Sequence, residues 1–282
     1  MITGCLKPPI HRMGGKHYLT GWLRRYIPGH VCYVEPFAGA AHLLFTKAAP
    51  SPVEVLNDID NHLVNFFQVI QATETRQALV DRLAFMPYSR KLWQEIRTRW
   101  KQGAVPGDLV EASAEWFFLN RTCFAGDQAR GGFACPSVTG RNPVQSFRNS
   151  VETFAAVAER LRNVCIENVD YADCLRRYDS QNTLHYIDPP YLDAGHYYGK
   201  ENFAYEDHRT LARLLNEAKG MAMVSHYANG LYDELYRGWH RYEYSNFKGS
   251  HKSEGEEKPK TIEVLYCNFK PAGQTRSLFL IP

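Results

Sequence analysis

The sequence has little of what marks a membrane protein, a secreted protein or a metal site built from cysteines. No apolar run approaches the roughly 18 residues of a membrane-spanning helix, and the first residues lack the basic-then-apolar pattern of a signal peptide. There is no internal repeat, and the seven cysteines form no CxxC pair. We therefore expect a globular, cytoplasmic protein whose cysteines are buried free thiols rather than metal ligands.

Positive charge is concentrated in two stretches. Residues 1–30 carry five basic residues and no acid, and residues 121–148 carry four arginines against Asp127, so the rest of the chain has a net charge of −5 although the total is +3. Such stretches are typical of a surface that binds a polyanion, although solvated arginines on unrelated faces would give the same pattern. With 282 residues, 44% of them hydrophobic, the chain can form one large domain or a domain with an insertion.

Short runs of β-branched and aromatic residues, bounded by turn residues, predict seven strands. These runs cover residues 31–37, 53–58, 163–169, 184–190, 221–227, 240–247 and 261–269. Helical periodicity fills most of the gaps, at residues 16–27, 40–49, 59–71, 150–162, 206–219 and 229–237. This alternation predicts an α/β protein with a doubly wound, mostly parallel sheet. The last two strands have no helix between them and are expected to pair as a hairpin, which makes one edge strand antiparallel.

The alternation stops between the second and third predicted strands for almost a hundred residues. Helical patterns follow one another there at residues 74–85, 89–100 and 108–120, and the last opens with a capping-box pattern of Asp108 and Glu111. A glycine-rich stretch without a clear period comes next. An insertion of this size predicts a second, smaller domain that is mainly helical. Residues 248–260 are dense in charge and predict a long loop between the last two strands.

Four predicted strands are followed by residues that carry chemistry, and open parallel sheets bind ligands beyond the carboxyl ends of their strands. The first strand leads into Glu35-Pro36-Phe37-Ala38-Gly39-Ala40-Ala41, a small-residue turn that a ligand can approach closely. The second ends at Asp58, about 20 residues later, the spacing at which an acid can hold ribose hydroxyls. The third is followed by Asp173. A tight turn, a helix N-cap and a helix start explain these three features at least as well.

The fourth strand is followed by Asp188-Pro189-Pro190-Tyr191, and a turn alone would explain the prolines but not their neighbours. The exocyclic amino group of a nucleobase is a poor nucleophile because its lone pair is delocalised into the ring. Hydrogen bonds from this group to a carboxylate and a backbone carbonyl localise the lone pair toward an electrophile. Asp188 can supply the carboxylate, Pro189 the carbonyl, and Tyr191 a ring on which a base stacks. This chemistry needs no metal.

The chain resembles the Dam-like (D12, α-group) DNA adenine-N6 methyltransferases, which use S-adenosylmethionine. The resemblance covers essentially the whole chain through motifs in their expected order: MGGK at 13–16, EPFAGAA at 35–41, NDID at 57–60, LNRTCFAG at 119–126, YAD at 171–173, DPPY at 188–191, VSHY at 224–227 and KTIEVLY at 260–266. It implies a Rossmann-like class I methyltransferase fold, with residues 1–66 and 149–282 as the catalytic domain. Residues 67–148 would be the helical target-recognition insertion, with the glycine-rich stretch as a DNA-facing hairpin.

The resemblance also implies roles for individual residues. Asp188, Pro189, Pro190 and Tyr191 would be the catalytic turn around an adenine that has left double-stranded DNA. The residues expected to bind the cofactor, whose product is S-adenosylhomocysteine, are Arg12, Met13, Gly15, Lys16, Glu35, Pro36, Phe37, Gly39, Ala40, Asp58, Ile59, Tyr171, Asp173 and Asp188. Asp58 would hold the ribose hydroxyls, and Asp173 would accept from the cofactor's adenine amino group. The expected DNA contacts are His11, Arg121, Phe124, Arg130, Arg141 and Lys252. We expect a monomer.

Two departures limit what can be carried over from the family. Many relatives have an aromatic residue before the GGK motif, where this chain has Arg12 and Met13. Residues 125–130 read AGDQAR instead of the NGLxR pattern, so a base-reading arginine is shifted or absent and specificity for GATC does not transfer. The alternatives are a methyltransferase for RNA, cytosine N4 or protein glutamine, and an inactive DNA-binding homologue. Asp188, the helical insertion and the complete set of motifs favour the DNA adenine enzyme.

Overall fold

A central sheet of seven strands organises the protein. A computed structural model describes residues 6–12, 16–128, 130–192, 203–247 and 260–271. The strands are β1 (Cys32–Glu35), β2 (Val53–Asn57), β3 (Val164–Glu167), β4 (Thr183–Ile187), β5 (Met221–Tyr227), β6 (His240–Phe247) and β7 (Lys260–Cys267). Their order in the sheet is β3-β2-β1-β4-β5-β7-β6. Each strand lies inside a predicted one or begins one residue before it.

The first five strands run parallel, so their carboxyl ends meet at one edge of the sheet. From β1 the chain moves outward to β2 and β3 and then returns to place β4 on the other side of β1. This reversal of strand order opens a crevice between the ends of β1 and β4, where doubly wound sheets bind ligands. The prediction of a doubly wound, mostly parallel α/β sheet is confirmed.

The predicted hairpin is present, but the antiparallel strand is not an edge strand. β7 lies between β5 and β6 and runs antiparallel to both of them. The polarity of the two strands accounts for this order, since residues 261–267 read TIEVLYC and residues 240–247 read HRYEYSNF. Residues 263–267 of β7 are all buried, whereas the residues of β6 from 240 to 245 are exposed or half-buried. The more apolar strand therefore takes the inner position, and the expectation of an antiparallel edge strand was wrong.

Both faces of the sheet are buried. Adjacent strand residues belong to different apolar clusters, as Tyr33 and Val34 do on β1 and Met223 and Val224 do on β5. The helices are α1 (Thr20–Leu23), α2 (His42–Thr46), α3 (Asn61–Gln71), α4 (Thr73–Phe85), α5 (Arg90–Lys101), α6 (Leu109–Thr122), α7 (Pro143–Glu152), α8 (Phe154–Leu161), α9 (Tyr171–Tyr178), α10 (Tyr205–Glu217) and α11 (Gly230–Leu235). Within the described ranges, none of the helices could cross a membrane.

The three predicted insertion helices correspond to α4, α5 and α6. Asp108 caps α6 by accepting from the Glu111 amide at 2.8 Å, which is one half of the predicted capping box, whereas the Glu111 carboxylate pairs with Arg82 of α4. The ring of Phe117 on α6 stacks on Phe66 of α3 at 5.2 Å, so the insertion packs directly on a helix of the sheet domain. Both predicted domain limits, at residues 66/67 and 148/149, fall inside helices, namely α3 and α7. The division into two domains stays a prediction.

The described cysteines are free thiols, but not all of them are buried. Cys123, Cys174 and Cys267 are buried, Cys32 is half-buried, and Cys135 and Cys165 are exposed. The prediction of buried thiols therefore holds for three of the six described residues and was wrong for two. Cys135 lies in the glycine-rich stretch, and Cys165 lies on β3. Cys5 lies outside the described residues.

Asn57, the last residue of β2, joins the carboxyl ends of three strands. Its side-chain amide donates to the Pro36 carbonyl and to the Val169 carbonyl, both at 3.0 Å, and its oxygen accepts from the Val169 amide at 2.9 Å. The side chain is 1% exposed. The bond to Pro36 is buried and the two to Val169 are partly buried, so water replaces them poorly if the amide is removed. Asn57 therefore fixes the loops that follow β1 and β3 relative to β2.

We expect Asn57→Ala to lower the free energy of unfolding by about 2 kcal/mol, because one buried and two partly buried hydrogen bonds are lost. Urea denaturation followed by circular dichroism measures this change. Asn149→Ala is the matched control, because Asn149 is exposed on α7 and its amide oxygen meets only another exposed side chain, that of Gln145. Equal effects of the two substitutions would contradict the role of Asn57.

Candidate active site

The DPPY turn lies at the carboxyl edge of the sheet, directly after β4. Pro189 and Tyr191 are buried, and the side chain of Asp188 is 23% exposed. β4 lies between β1 and β5, so the turn stands between the small-residue turn after β1 and the end of β5. The residues predicted to carry catalysis are therefore at the crevice formed by the reversal of strand order.

A buried lysine holds this turn to two other parts of the chain. The Lys16 ammonium, 5% exposed, lies 3.2 Å from Asp188 Oδ1 and 3.6 Å from Glu263 Oε2, and it donates to the Tyr191 hydroxyl oxygen. The Tyr191 hydroxyl in turn donates to Glu263 Oε2 at 3.0 Å. We call these four residues the acid–lysine cluster. It connects the N-terminal segment, the DPPY turn and β7.

Ser225 supports Asp188 from β5. Its hydroxyl donates to Asp188 Oδ1 at 3.1 Å and lies 3.1 Å from the Tyr186 hydroxyl. Ser225 and Tyr186 are buried near the carboxyl ends of β5 and β4. The contacts of Lys16 and Ser225 both go to the same carboxylate oxygen, so they orient the Asp188 carboxylate.

Burial and charge set the protonation states of the cluster. Burial raises the pKa of Asp188, and the nearby Lys16 ammonium opposes this effect. Burial alone would lower the pKa of Lys16, but the carboxylates of Asp188 and Glu263 raise it overall, so Lys16 is charged at neutral pH. Burial, followed by the two carboxylates, raises the pKa of Tyr191 well above its usual value. The Tyr191 hydroxyl therefore keeps its proton and acts as a donor.

His226 packs against the turn and fixes its backbone. Its ring centroid lies 4.4 Å from that of Tyr191 and 3.8 Å from that of Tyr232. Burial lowers the pKa of His226 to about 3, so the imidazole is neutral. Nε2 accepts from the Leu192 amide at 3.3 Å, which places the proton on Nδ1, where it is donated to the Tyr227 carbonyl at 2.8 Å. Because both nitrogens are used in hydrogen bonds, His226 has a structural role beside the turn.

Tyr191 does not present an open ring. The residue is 9% exposed, and the Lys16 ammonium lies 4.2 Å from the ring centroid. Stacking of a base on Tyr191 therefore stays a prediction, and it requires the side chains that cover the ring to move.

The small-residue turn after β1 is tied to the end of β2 by Asp58. The Asp58 carboxylate accepts from the Gly39 amide at 2.8 Å and from the Asp60 amide at 2.9 Å. Gly39 has φ 49°, a left-handed conformation that favours glycine, and Ala41 also has a positive φ of 53°. Asp60, not Asp58, caps α3 by accepting from the His62 and Leu63 amides. Asp58 is thus available for a role other than a helix cap.

Aromatic and apolar side chains surround this turn. The Phe37 and Tyr171 rings stack at 5.2 Å, and Phe203 meets Phe37 edge-on at 5.5 Å. Ile59 is 74% exposed. Among the described residues, a Cβ at Gly39 would meet only Arg12 Cγ, at 3.7 Å, so this part of the turn leaves room for a ligand. Residues from the ends of β1, β2 and β3 therefore come together here.

A model of the D12 class N6 adenine-specific DNA methyltransferases matches residues 13–249, most of the chain. The protein is a member of this family. Membership establishes N6-adenine methylation of DNA as its activity and implies S-adenosylmethionine as the methyl donor.

Relatives of the methyltransferase cover most of its length. It is 28% identical over 247 residues to the type II methyltransferase M.CviBI of Paramecium bursaria Chlorella virus NC1A, an alignment that covers 85% of this chain and 90% of the relative. It is 25% identical to the DNA adenine methylase of Vibrio cholerae, with coverage of 80% and 83%. It is 24% identical to the DNA adenine methylase of Serratia marcescens, with coverage of 81% and 85%.

The other residues predicted to bind the cofactor differ in burial and in their partners. Asp173 lies in the first turn of α9, where its exposed carboxylate pairs with Arg176 at 3.1 Å. Arg12 pairs with Asp60 at 3.1 Å. Pro36 and Ala40 are buried in the turn after β1. Met13 and Gly15 lie outside the described residues.

The predicted DNA contacts fall into two groups. Phe124 and Arg130 are exposed, and the guanidinium of exposed Arg141 lies 5.7 Å from the Phe124 ring centroid. Arg121 instead is 7% exposed, and its guanidinium donates to the carbonyl and hydroxyl of Ser146 at 2.9 and 2.8 Å. Its geometry supports a structural role, in which it joins α6 to α7. Lys252 lies outside the described residues.

The N-terminal segment of the methyltransferase is held against the insertion. The Asn120 side chain accepts from the His11 amide at 2.9 Å and donates to the His11 carbonyl at 2.7 Å. Gly126 has φ 73°, and a Cβ there would lie 2.7 Å from the His11 carbonyl oxygen. The close approach of the two backbones therefore requires glycine at position 126. His11 contacts the insertion through its backbone.

Sequence reasoning missed Asn120, Ser225 and Glu263. All three lie in motifs that carry the family resemblance, but only the motif as a whole was used. One signal was available: Glu263 is an acid within the apolar run of residues 261–267. A buried acid in a strand requires a partner, which points to a site at that end of β7.

Glu35 supports the turn after β1 from the protein interior. The residue is 2% exposed, and Oε1 accepts from the Tyr33 hydroxyl at 2.8 Å and from the Leu44 amide of α2 at 2.9 Å. Burial raises the pKa of Glu35 to about 7. The folded protein therefore binds this proton more tightly than the unfolded chain, and its stability falls as pH rises from about 4.5 to about 7.

We expect Glu35→Gln to remove this pH dependence, because the amide oxygen keeps both acceptor roles and carries no charge. The free energy of unfolding of the variant, relative to the original protein, should rise by on the order of 3 kcal/mol between pH 5 and pH 8. Urea denaturation at the two pH values measures the difference. A relative stability that is the same at both pH values would contradict the assignment.

Proposed function

We propose that the protein methylates N6 of an adenine that has left the DNA duplex, with Asp188 and the Pro189 carbonyl as acceptors for the exocyclic amino group. The proposal rests on one observation. The Asp188 carboxylate, oriented by Lys16 and Ser225, stands at the crevice between the ends of β4 and β1, next to the open Gly39 turn. A methyl donor at that turn and a base at the DPPY turn would meet in this crevice.

The residues at the ends of β1 and β2 fit S-adenosylmethionine. The open backbone at Gly39 allows close approach, and the Phe37–Tyr171 pair with exposed Ile59 offers apolar surface for an adenine ring. The Asp58 carboxylate, oriented by two backbone amides, has remaining lone pairs for ribose hydroxyls. When bound, the cofactor supplies a sulfonium methyl group and leaves as S-adenosylhomocysteine. Asp173 would accept a hydrogen bond from the amino group of the cofactor's adenine only after its ion pair with Arg176 was broken.

Asp188 acts in this proposal as a hydrogen-bond acceptor. Lys16 and Ser225 both contact Oδ1, so the amino group of the base would donate to Oδ2. Pro189 has a carbonyl but no amide proton, so this part of the turn offers an acceptor without a competing donor. Two acceptors draw the nitrogen toward a tetrahedral shape and direct its lone pair at the methyl group. Because the turn is rigid, little reorganisation is needed before transfer, and the N6 proton is lost to solvent after the methyl group has been transferred.

The target base must leave the helix, because N6 of a paired adenine cannot reach the crevice. We propose that residues 67–148 recognise the target in duplex DNA and that Phe124, Arg130 and Arg141 lie at this interface. Exposed arginines would bind phosphates, which position the protein on DNA without reading its sequence. The substrate also supports the expected location in the cytoplasm, and the monomeric state stays a prediction.

Asp188→Ala is expected to reduce methyl transfer by at least about a thousandfold, because the acceptor for the amino group is lost. Tritium transfer from labelled S-adenosylmethionine to DNA measures the rate, and chromatography of the digested DNA should identify N6-methyladenine. Binding of the cofactor, measured by calorimetry, should persist because Asp58 and the Gly39 turn are intact. Glu217→Ala, at an exposed position on α10, is the control. Full activity of Asp188→Ala would refute the role of this carboxylate.

Arg141→Ala is expected to weaken DNA binding for all sequences alike and to reduce the slope of log K against log salt by about 0.9, the effect of one lost phosphate contact. Fluorescence anisotropy with a labelled duplex at several salt concentrations measures the slope. Arg162→Ala is the matched control, because Arg162 is 72% exposed and lies just before β3. This position is at the amino ends of the parallel strands, whereas the DPPY turn is at their carboxyl ends. A slope unchanged by Arg141→Ala would exclude a phosphate contact.

A further inference from the structure

Glu263 reaches the catalytic turn because of the direction of β7. β7 runs antiparallel to β5, so its early residues lie beside the carboxyl end of β5, with Glu263 opposite Tyr227. The same residue is opposite Tyr244 of β6. Only the insertion of β7 between β5 and β6 brings an acid of the C-terminal hairpin to the DPPY turn.

The contacts of Glu263 are with groups that hold Asp188. Oε2 accepts from the Tyr191 hydroxyl at 3.0 Å and lies 3.6 Å from the Lys16 ammonium, and the residue is 8% exposed. A lysine ammonium has three N–H donors, and three oxygens surround that of Lys16: Asp188 Oδ1, the Tyr191 hydroxyl and Glu263 Oε2. The ammonium is therefore held from three sides, and its position determines that of the Asp188 carboxylate.

The charge of Glu263 has a second effect. Without it, the buried ammonium would face one carboxylate, and a full ion pair would hold Asp188 toward Lys16 and weaken it as an acceptor for an amino group. With it, two carboxylates share one ammonium, and the cluster carries a net charge of −1 when both acids are ionised. This excess negative charge helps the Asp188 carboxylate to stabilise the positive charge that develops on the nitrogen during methylation.

We propose that Glu263 is a positioning residue for methyl transfer, which holds Lys16 and the Tyr191 hydroxyl so that the Asp188 carboxylate faces the target amino group. The inference rests on the proposed function, since it assigns Asp188 as the acceptor. Glu263 does not itself touch the substrate in this scheme. It acts through the ammonium and through the hydroxyl of the catalytic turn.

Glu263→Gln tests the proposal, because it keeps the shape of the side chain and removes its charge. We expect kcat to fall roughly 10- to 100-fold while KM for DNA and for S-adenosylmethionine changes less than about twofold. The acid limb of the pH profile of kcat should move to lower pH, because removing a nearby negative charge lowers the pKa of Asp188. Glu243→Gln is the control, since Glu243 is an exposed acid on the adjacent strand β6.

A double substitution separates positioning from a general loss of structure. If Glu263 acts through the catalytic turn, Glu263→Gln combined with Tyr191→Phe should be about as slow as the slower single variant, rather than showing the product of both effects. Thermal melting of each variant checks that the fold is kept. The proposal would be overturned if the effects of the two substitutions multiplied. It would also be overturned if kcat, both KM values and the melting temperature changed together while the pH profile stayed the same.

The outcomes also separate this inference from the function on which it rests. If the original protein forms no N6-methyladenine in duplex DNA, the proposed function fails first. If the original protein is active and Glu263→Gln keeps its full kcat, only the role of Glu263 is refuted.

Discussion

The buried ammonium of Lys16 is the interaction on which the active site depends. A lysine that is 5% exposed would lose its proton in an apolar environment, but two carboxylates and a tyrosine hydroxyl keep it charged. Each partner needs the ammonium in return, since removing it would leave two acids close together in the interior. One nitrogen atom therefore holds together the N-terminal segment, the turn after β4 and the C-terminal hairpin.

Residues of the same N-terminal segment contact both the acid–lysine cluster and the insertion. Asn120 and Gly126, at the end of α6 and in the turn beyond it, hold the backbone of His11, five residues before Lys16. The exposed pair Phe124 and Arg141 stands on the same part of the insertion. His11 thus contacts the insertion, and Lys16 contacts the DPPY turn, from positions only five residues apart in the chain.

Much of the fold could be predicted because its signals are local. Each strand is a short apolar run bounded by turn residues, and α6 begins at the predicted Asp108 cap. Helix α9 lies outside the predicted helical stretches, and α7 overlaps one of them only at residues 150–152. Pairing rules alone could not place β7, because either strand of the hairpin could pair with β5. In the folded chain β7 takes the inner position, between β5 and β6, and residues 263–267 are buried there.

The sequence by itself determined the sheet class, the family and the turn that carries the chemistry, because periodicity and the DPPY motif need only neighbouring residues. Tertiary structure alone decided which groups surround that turn. Lys16 and Glu263 are 175 and 72 residues away from Tyr191, and no local pattern relates them. It also separated arginines that look alike in sequence, since Arg121 joins two helices in the interior while Arg141 is exposed. The sequence shows which side chains are charged. Their burial and their partners depend on which distant segments the packed sheet brings together.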